Sequence, residues 1–157
     1  MEKTNVMRIL DQKKIPYTPH FYDPNTTGGK SVAALTGSDP GRVFKTLVTV
    51  GASKQHYVFV VPVDRELDLK KAAKAVGEKS IAMIRQAQLL PLTGYVHGGC
   101  SPVGMKKQFK TTIDERARNL PAILVSAGRI GAQTELAPAD LAGLVRAAFA
   151  DVSSDVV

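Results

Sequence analysis

Apolar positions along this chain fall into short blocks that switch between helical and strand spacing, and punctuation residues mark each switch. In the segment 4–14, Val6, Ile9, Leu10 and Lys13 recur at helical spacing behind Thr4, a good N-cap. Pro16 and Pro19 break that pattern, and 17–22 reads as a short edge strand. A turn-rich loop follows at 23–29, after which Ser31 can cap a short helix running through Leu35 and stopping at Gly37. Asp39-Pro40 is a second helical start, because proline lacks an N–H where none is needed. Residues 44–50 and 55–62 are rich in β-branched and aromatic side chains, and 51–54 separates them as the turn of a hairpin.

Further along, Asp68 opens a helix that ends near Val76, with Gly77 in the stop position. Residues 80–84 suggest a strand, and 85–90 a short helix cut off by Pro91. Strand candidates at 95–97 and 110–113 flank a glycine-rich loop at 98–104. The clearest buried strand is 122–126, introduced by Pro121. A closing helix over 138–149 places Leu141, Leu144, Val145 and Ala148 on one face, and 151–157 reads as a loose tail. Short strands interspersed with short helices at irregular intervals predict a mixed α+β domain over 1–157. A doubly wound nucleotide-binding sheet would need steadier alternation.

Composition narrows the class. The chain has 157 residues, 44% hydrophobic and 22% charged, which is enough to bury a core and excludes wholesale disorder. Its apolar runs are too short to cross a bilayer, so no membrane partner is expected. Met1-Glu2-Lys3-Thr4 has no secretory signal pattern, and Cys100 is the only cysteine; both fit a cytoplasmic address. Twenty-one Lys and Arg against 14 Asp and Glu leave a charge of +7, which attracts polyanions, nucleic acid first among them. The basic residues gather at Lys70, Lys71, Lys74 and Lys79, and at Lys106, Lys107 and Lys110 after the glycine-rich loop. Phe109 is the one aromatic within these groups and tryptophan is absent, so phosphate contact is expected rather than stacking on single-stranded bases.

Familiar catalytic machinery is missing. There is no G-x-S-x-G elbow. The loop Gly99 to Lys106 fails as an NTP phosphate loop, since Met105 displaces the lysine, Lys107 stands in the magnesium-ligand position and Pro102 removes an N–H. His20, His56 and His97 are scattered, and His97 with Cys100 is at most half a zinc site, so neither metal nor cofactor is expected. Cys100 is either a nucleophile or a small residue tolerated in a tight turn. Gly98-Gly99, Ser101-Pro102 and Gly104 let backbone approach a ligand and offer N–H groups to an oxyanion. Lys45 interrupts an apolar strand; it either faces solvent or turns inward to meet an anion or polar ligand. Ser126-Ala127-Gly128 ends the buried strand with the small residues that border pockets.

Taken in order and at these separations, Phe44-Lys45-Thr46-Leu47-Val48, the run Gly98 to Lys107 and Val125-Ser126-Ala127-Gly128 resemble the YbaK/EbsC family of the prolyl-tRNA synthetase editing-domain superfamily. Ile15-Pro16-Tyr17 through Tyr22-Asp23, the segment Leu69 to Lys74, and Glu135-Leu136-Ala137-Pro138 agree as well, so the similarity spans nearly the whole chain. The resemblance implies a curved, largely antiparallel sheet with short helices around it. It also implies a trans-acting enzyme that hydrolyses mischarged Cys-tRNA(Pro) alongside prolyl-tRNA synthetase, with no DNA partner. Lys45 would be the essential side chain. Tyr22, Gly98, Gly99 and Ser126 would line the aminoacyl-adenosine pocket, with the backbone through Ser101 assisting. Lys106, Lys107 and Lys110 are the expected tRNA phosphate contacts. The attacking group would be the substrate's own thiol, with pocket water as the alternative. Gln133 departs from members with an acidic residue there, which leaves no carboxylate role at that position. The competing readings are a non-catalytic tRNA- or synthetase-binding module and a deacylase for another small aminoacyl group.

Overall fold

Thr4 caps the first helix as its position predicts. In the computed structural model, which describes residues 2–25 and 29–156, its hydroxyl accepts from the Met7 amide at the head of α1 (Asn5–Gln12). The edge strand β1 (Thr18–Phe21), the helix α2 (Gly29–Thr36) and a 3-10 turn at Pro40–Arg42 follow. Asp39 accepts from the Gly41 amide in that turn, as the Asp-Pro pair predicts. The expected Ser31 side-chain cap and residues 26–28 of the turn-rich loop lie outside what the structure describes. The hairpin is β2 (Phe44–Gly51) with β3 (His56–Pro62). A short β4 (Arg65–Leu67) leads into α3 (Leu69–Val76). There Asp68 accepts from the Lys70 and Lys71 amides, and Gly77 turns left-handed at φ 75° to end the helix.

After β5 (Ile81–Met83), α4 (Gln86–Thr93) and the glycine-rich loop come β6 (Lys110–Asp114), a 3-10 turn at Glu115–Asn119, and β7 (Ile123–Ser126). The chain closes with β8 (Ala132–Leu136), α5 (Pro138–Val145), β9 (Ala148–Ala150) and β10 (Ser153–Asp155). Pairing is mostly antiparallel, as expected, but it is spread over three sheets. Five strands run β5-β2-β3-β6-β9, with β6 and β9 joined in parallel; three run β1-β8-β7; two run β10-β4. An isolated parallel bridge, Val43 with Leu124, links the first two sheets at the root of β2.

Strand alternation divides the interior. Phe44 and Val48 of β2, and Val58 and Val60 of β3, face a large core shared with Val6, Leu10, Ile123, Val125 and Leu141. The opposite face carries Leu47, Phe59 and Val61, covered by Ala72 and Ala73 of α3 and by Val152. Lys45, two residues before Leu47, belongs to this second face.

Four expectations are corrected. α4 runs through Pro91 instead of stopping there. Its ends are held by Gln88 Oε1 accepting from the Arg85 amide at 3.0 Å and by the Thr93 hydroxyl donating to the Leu89 carbonyl at 2.7 Å. Leu89 and Leu92 also pack on the core, which outweighs the one backbone bond that proline removes. Residues 95–97 form no strand; Tyr95 packs beneath Gly104 and Gly128 and its hydroxyl donates to the Val103 carbonyl. The last helix ends at Val145, where Arg146 turns left-handed, and Ala148–Ala150 pairs with β6. Residues 153–155 are not a loose tail, since β10 pairs with β4. Arg65 holds Ser153 Oγ at 2.8 Å and Asp155 at 2.6 Å, and Val152 is fully buried.

Candidate active site

Lys45 is half-buried and sits opposite Val61 on β3. Among the described residues its ammonium has no hydrogen-bond or ion-pair partner. Burial pushes its pKa below the ordinary lysine value, and the charges of Glu66 and Asp64 oppose that shift in part. A cation held under these conditions keeps its capacity to bind an anion or a developing oxyanion, because no side chain here has already neutralised it. Its neighbour Thr46 points the other way, and the Thr46 hydroxyl is buried without a partner among the described residues.

The bridge between Val43 and Leu124 sets Lys45 at the level of Ser126, two residues further along each strand. Leu124 packs with Val43 and Ala33, away from the large core that takes Ile123 and Val125, so Ser126 shares the outer face with Leu124. Register then carries a polar row across the three-stranded sheet, from Ser126 to Gln133 to His20. Gln133 is 8% exposed and its Oε1 has no partner among the described residues. Tyr22 follows β1, half-buried, and its amide donates to the Gly131 carbonyl at 3.0 Å. The strand arrangement therefore sets Lys45 at the level of Ser126, with Tyr22 following β1 two strands further across the sheet.

The glycine pair lies against the β7–β8 turn. Gly98 takes φ 87°, and a Cβ at Gly99 would press on the Ile130 amide at 3.0 Å and the Arg129 backbone at 3.1 Å, so both positions favour glycine. Ser101 is fully buried, and its hydroxyl accepts from the Val103 amide at 3.1 Å, which gives it a part in shaping the loop. Cys100 is packed in the large core, on the face of β2 opposite Lys45. Burial pushes its thiol up to about 12, only partly countered by a hydrogen bond with Thr93, so it stays protonated at neutral pH. A cavity of about 280 Å³ opens beside the same turn, lined by Tyr95, Ala127, Gly128 and Arg129 with Thr4 and Asn5; Lys45 and the glycine pair lie outside its lining.

Lys106, Lys107 and Lys110 are all exposed. The Lys106 amide donates to the Thr93 carbonyl at 3.0 Å, and the Lys107 ammonium lies 5.9 Å from the Phe109 ring centroid. The structure also reveals an ion-pair cluster that sequence reasoning missed. Glu135 meets His20 Nε2 at 2.8 Å and Arg42 at 2.6 Å, and the His20 hydrogen bond, with Arg42 beside it, holds its carboxyl below the usual range. The signal was available: reading 132–136 as a strand puts Gln133 and Glu135 on one face.

These features meet known proteins at one family. The aminoacyl-tRNA editing domain matches residues 23–144 of the chain. The chain belongs to that family. EbsC of Enterococcus faecalis, which carries the name Cys-tRNA(Pro)/Cys-tRNA(Cys) deacylase, is 46% identical over 155 residues, 98% of this chain and 94% of EbsC. A proline–tRNA ligase of Fervidobacterium nodosum is 29% identical over 98 residues, 62% of this chain and 17% of the ligase. Among solved structures, one described as a trans-editing enzyme for prolyl-tRNA synthetase superposes with a TM-score of 0.83 at 26% identity, covering 98% of this chain and 99% of that one. The hypothetical protein APE2540 shares the fold, with a TM-score of 0.87 at 24% identity, covering 95% and 99%. Membership makes this editing-domain protein an aminoacyl-tRNA deacylase, acting in trans on mischarged tRNA. No described helix is long and apolar enough to cross a membrane.

Proposed function

We propose that residues 1–157 act as one cytoplasmic editing domain that hydrolyses Cys-tRNA(Pro) beside prolyl-tRNA synthetase. The observation that carries the substrate is the 46% identity with EbsC along almost the full length of both proteins. Two tRNAs stand in that relative's name and one amino acid, which supports a site that reads the cysteinyl group and leaves tRNA choice to the synthetase.

The task has a physical reason. A proline pocket cannot reject cysteine by binding alone, because small ligands of similar size differ by only about 1–3 kcal/mol. A second site must then destroy the error. The scissile bond is already an activated ester, so positioning and charge stabilisation are the main requirements. In this reading the Lys45 ammonium stabilises the oxygen that gains negative charge and helps to seat the terminal adenosine. Backbone N–H groups of the Gly98 to Ser101 segment assist, apart from that of Gly99, which donates to the Val96 carbonyl at 3.0 Å, and Tyr22 and Ser126 border the aminoacyl group. The substrate's sulfur attacks its own ester carbon, the bond to the ribose oxygen breaks, and that oxygen takes up the thiol's proton. Water then opens the resulting four-membered thiolactone to free cysteine. The buried, protonated Cys100 has no part in this scheme. Lys106, Lys107 and Lys110 hold the tRNA phosphates.

The test is single-turnover loss of the ester from Cys-tRNA(Pro). Wild-type protein should clear it and Lys45→Ala should not; near-normal turnover by Lys45→Ala would remove the lysine from the mechanism.

A further inference from the structure

Lys45 stands on the five-stranded sheet, whereas Ser126 and the strand leading to Tyr22 belong to the three-stranded one. Neither ladder fixes the distance between them. The backbone joint between the two sheets among the described residues is the single bridge from Val43 to Leu124. That bridge and the shared core beneath it fix one side of the junction, and the outer side, where Ser126 lies, is held by side chains alone.

Glu135 reaches across that joint with one oxygen and holds the neighbouring strand of its own sheet with the other. Oε1 lies 2.8 Å from His20 Nε2, two residues before Tyr22. Oε2 accepts from the Arg42 guanidinium at 2.6 Å, three residues before Lys45. Arg42 Nε also donates to the Ala122 carbonyl at 3.4 Å, at the root of β7. The Glu135 side chain is 23% exposed, so the pairs are screened less than those on an open surface. One carboxylate therefore clamps the two chain segments that enter the site from different sheets.

We propose that Glu135 is a positioning residue for deacylation, setting the placement of Lys45 relative to Tyr22 and Ser126 through Arg42 and His20. The inference rests on the role given to Lys45 above. It requires reach as well as charge. Aspartate is shorter by about 1.5 Å, so from the same backbone it keeps one partner and loses the other. Glutamine keeps the length, can accept from Arg42, and can still donate to His20.

The experiment is steady-state deacylation of Cys-tRNA(Pro) by wild type, Glu135→Ala, Glu135→Asp, Glu135→Gln, Arg42→Ala and the Glu135→Ala/Arg42→Ala double variant. Lys45→Ala serves as the inactive reference, and thermal melts report folding. Displacing a reacting group by about 1 Å costs up to roughly a hundredfold in rate. Glu135→Ala and Glu135→Asp should lose roughly ten- to a hundredfold in kcat with KM within a few-fold of wild type, because most of the RNA is gripped elsewhere. Glu135→Gln should recover much of that loss, and the double variant should be no slower than the worse single one. Unchanged kcat in the alanine and aspartate variants overturns the proposal. So does a kcat loss that merely follows the folded fraction, or a double variant whose losses multiply. Wild type inert on this substrate, or Lys45→Ala as fast as wild type, overturns the Lys45 reading and this inference with it.

Discussion

Replacing Lys45 with methionine separates what the lysine does for the reaction from what it costs the fold. The ammonium is half-buried, its pKa is pushed down by that burial, and no described residue pairs with it. An unsatisfied buried polar group costs about 1–3 kcal/mol. Solvent still reaches this one and the Asp64 and Glu66 charges offset part of the cost, so about 0.5–1 kcal/mol is the expected size here. Methionine keeps the unbranched stem, ends one atom short of the ammonium and suits the neighbours Leu47 and Val61 on the same face. Lys45→Met should therefore melt higher than wild type, by roughly 1–4 °C for a chain of this length. The gap has a pH dependence of known sign. Below the ordinary lysine value of 10.5 the unfolded chain binds the proton more tightly than the native one, so wild-type stability rises as pH climbs through that window. The methionine variant lacks that rise, and its advantage should shrink between neutral pH and about pH 10.5. Deacylation of Cys-tRNA(Pro) should fall roughly 10²- to 10³-fold, the scale for losing one group that stabilises transition-state charge. Calorimetry across pH and single-turnover ester loss check both halves. A lower melting temperature for Lys45→Met would mean the acidic neighbours more than satisfy the lysine. Turnover within a few-fold of wild type would mean the reaction does not use it.

Two other outcomes follow from the same geometry. Changing Lys106, Lys107 and Lys110 together to alanine should weaken tRNA binding and reduce the slope of log affinity against log salt by about 2–3, at roughly 0.7–0.9 per lost phosphate contact; an unchanged slope places the RNA elsewhere. Cys100→Ser should leave turnover within about twofold while lowering stability by about 1 kcal/mol, since a hydroxyl replaces a thiol in an apolar core. Loss of activity out of proportion to stability would bring the cysteine back into the chemistry.

What the sequence shows and what it hides follow from the reach of the signals. Caps and hairpins are local, so Thr4, Asp39, Asp68 and Gly77 mark their elements within a residue or two. Pro91 misleads because tertiary packing of Leu89 and Leu92 outweighs one missing hydrogen bond. The short strands β4, β9 and β10 are invisible locally, since each is defined by a partner far along the chain. The site divides the same way. Of the candidate residues, Lys45 and the Gly98-Gly99 turn stand out in the sequence because a charge or a glycine interrupts a pattern. The row through Gln133 and the clamp at Glu135 need the register of β8 against β1 and β7, which exists only in three dimensions.

The most direct trial of the account compares esters that differ at one atom. Wild-type protein in single-turnover excess is incubated with tRNA(Pro) charged with cysteine, serine, alanine or proline, and loss of each ester is followed. If the substrate's sulfur cuts its own linkage while Lys45 steadies the charge, the cysteinyl ester disappears and the seryl, alanyl and prolyl esters stay at their uncatalysed rates. Seryl ester cleaved as fast as cysteinyl ester would contradict that, and would give the attack to water.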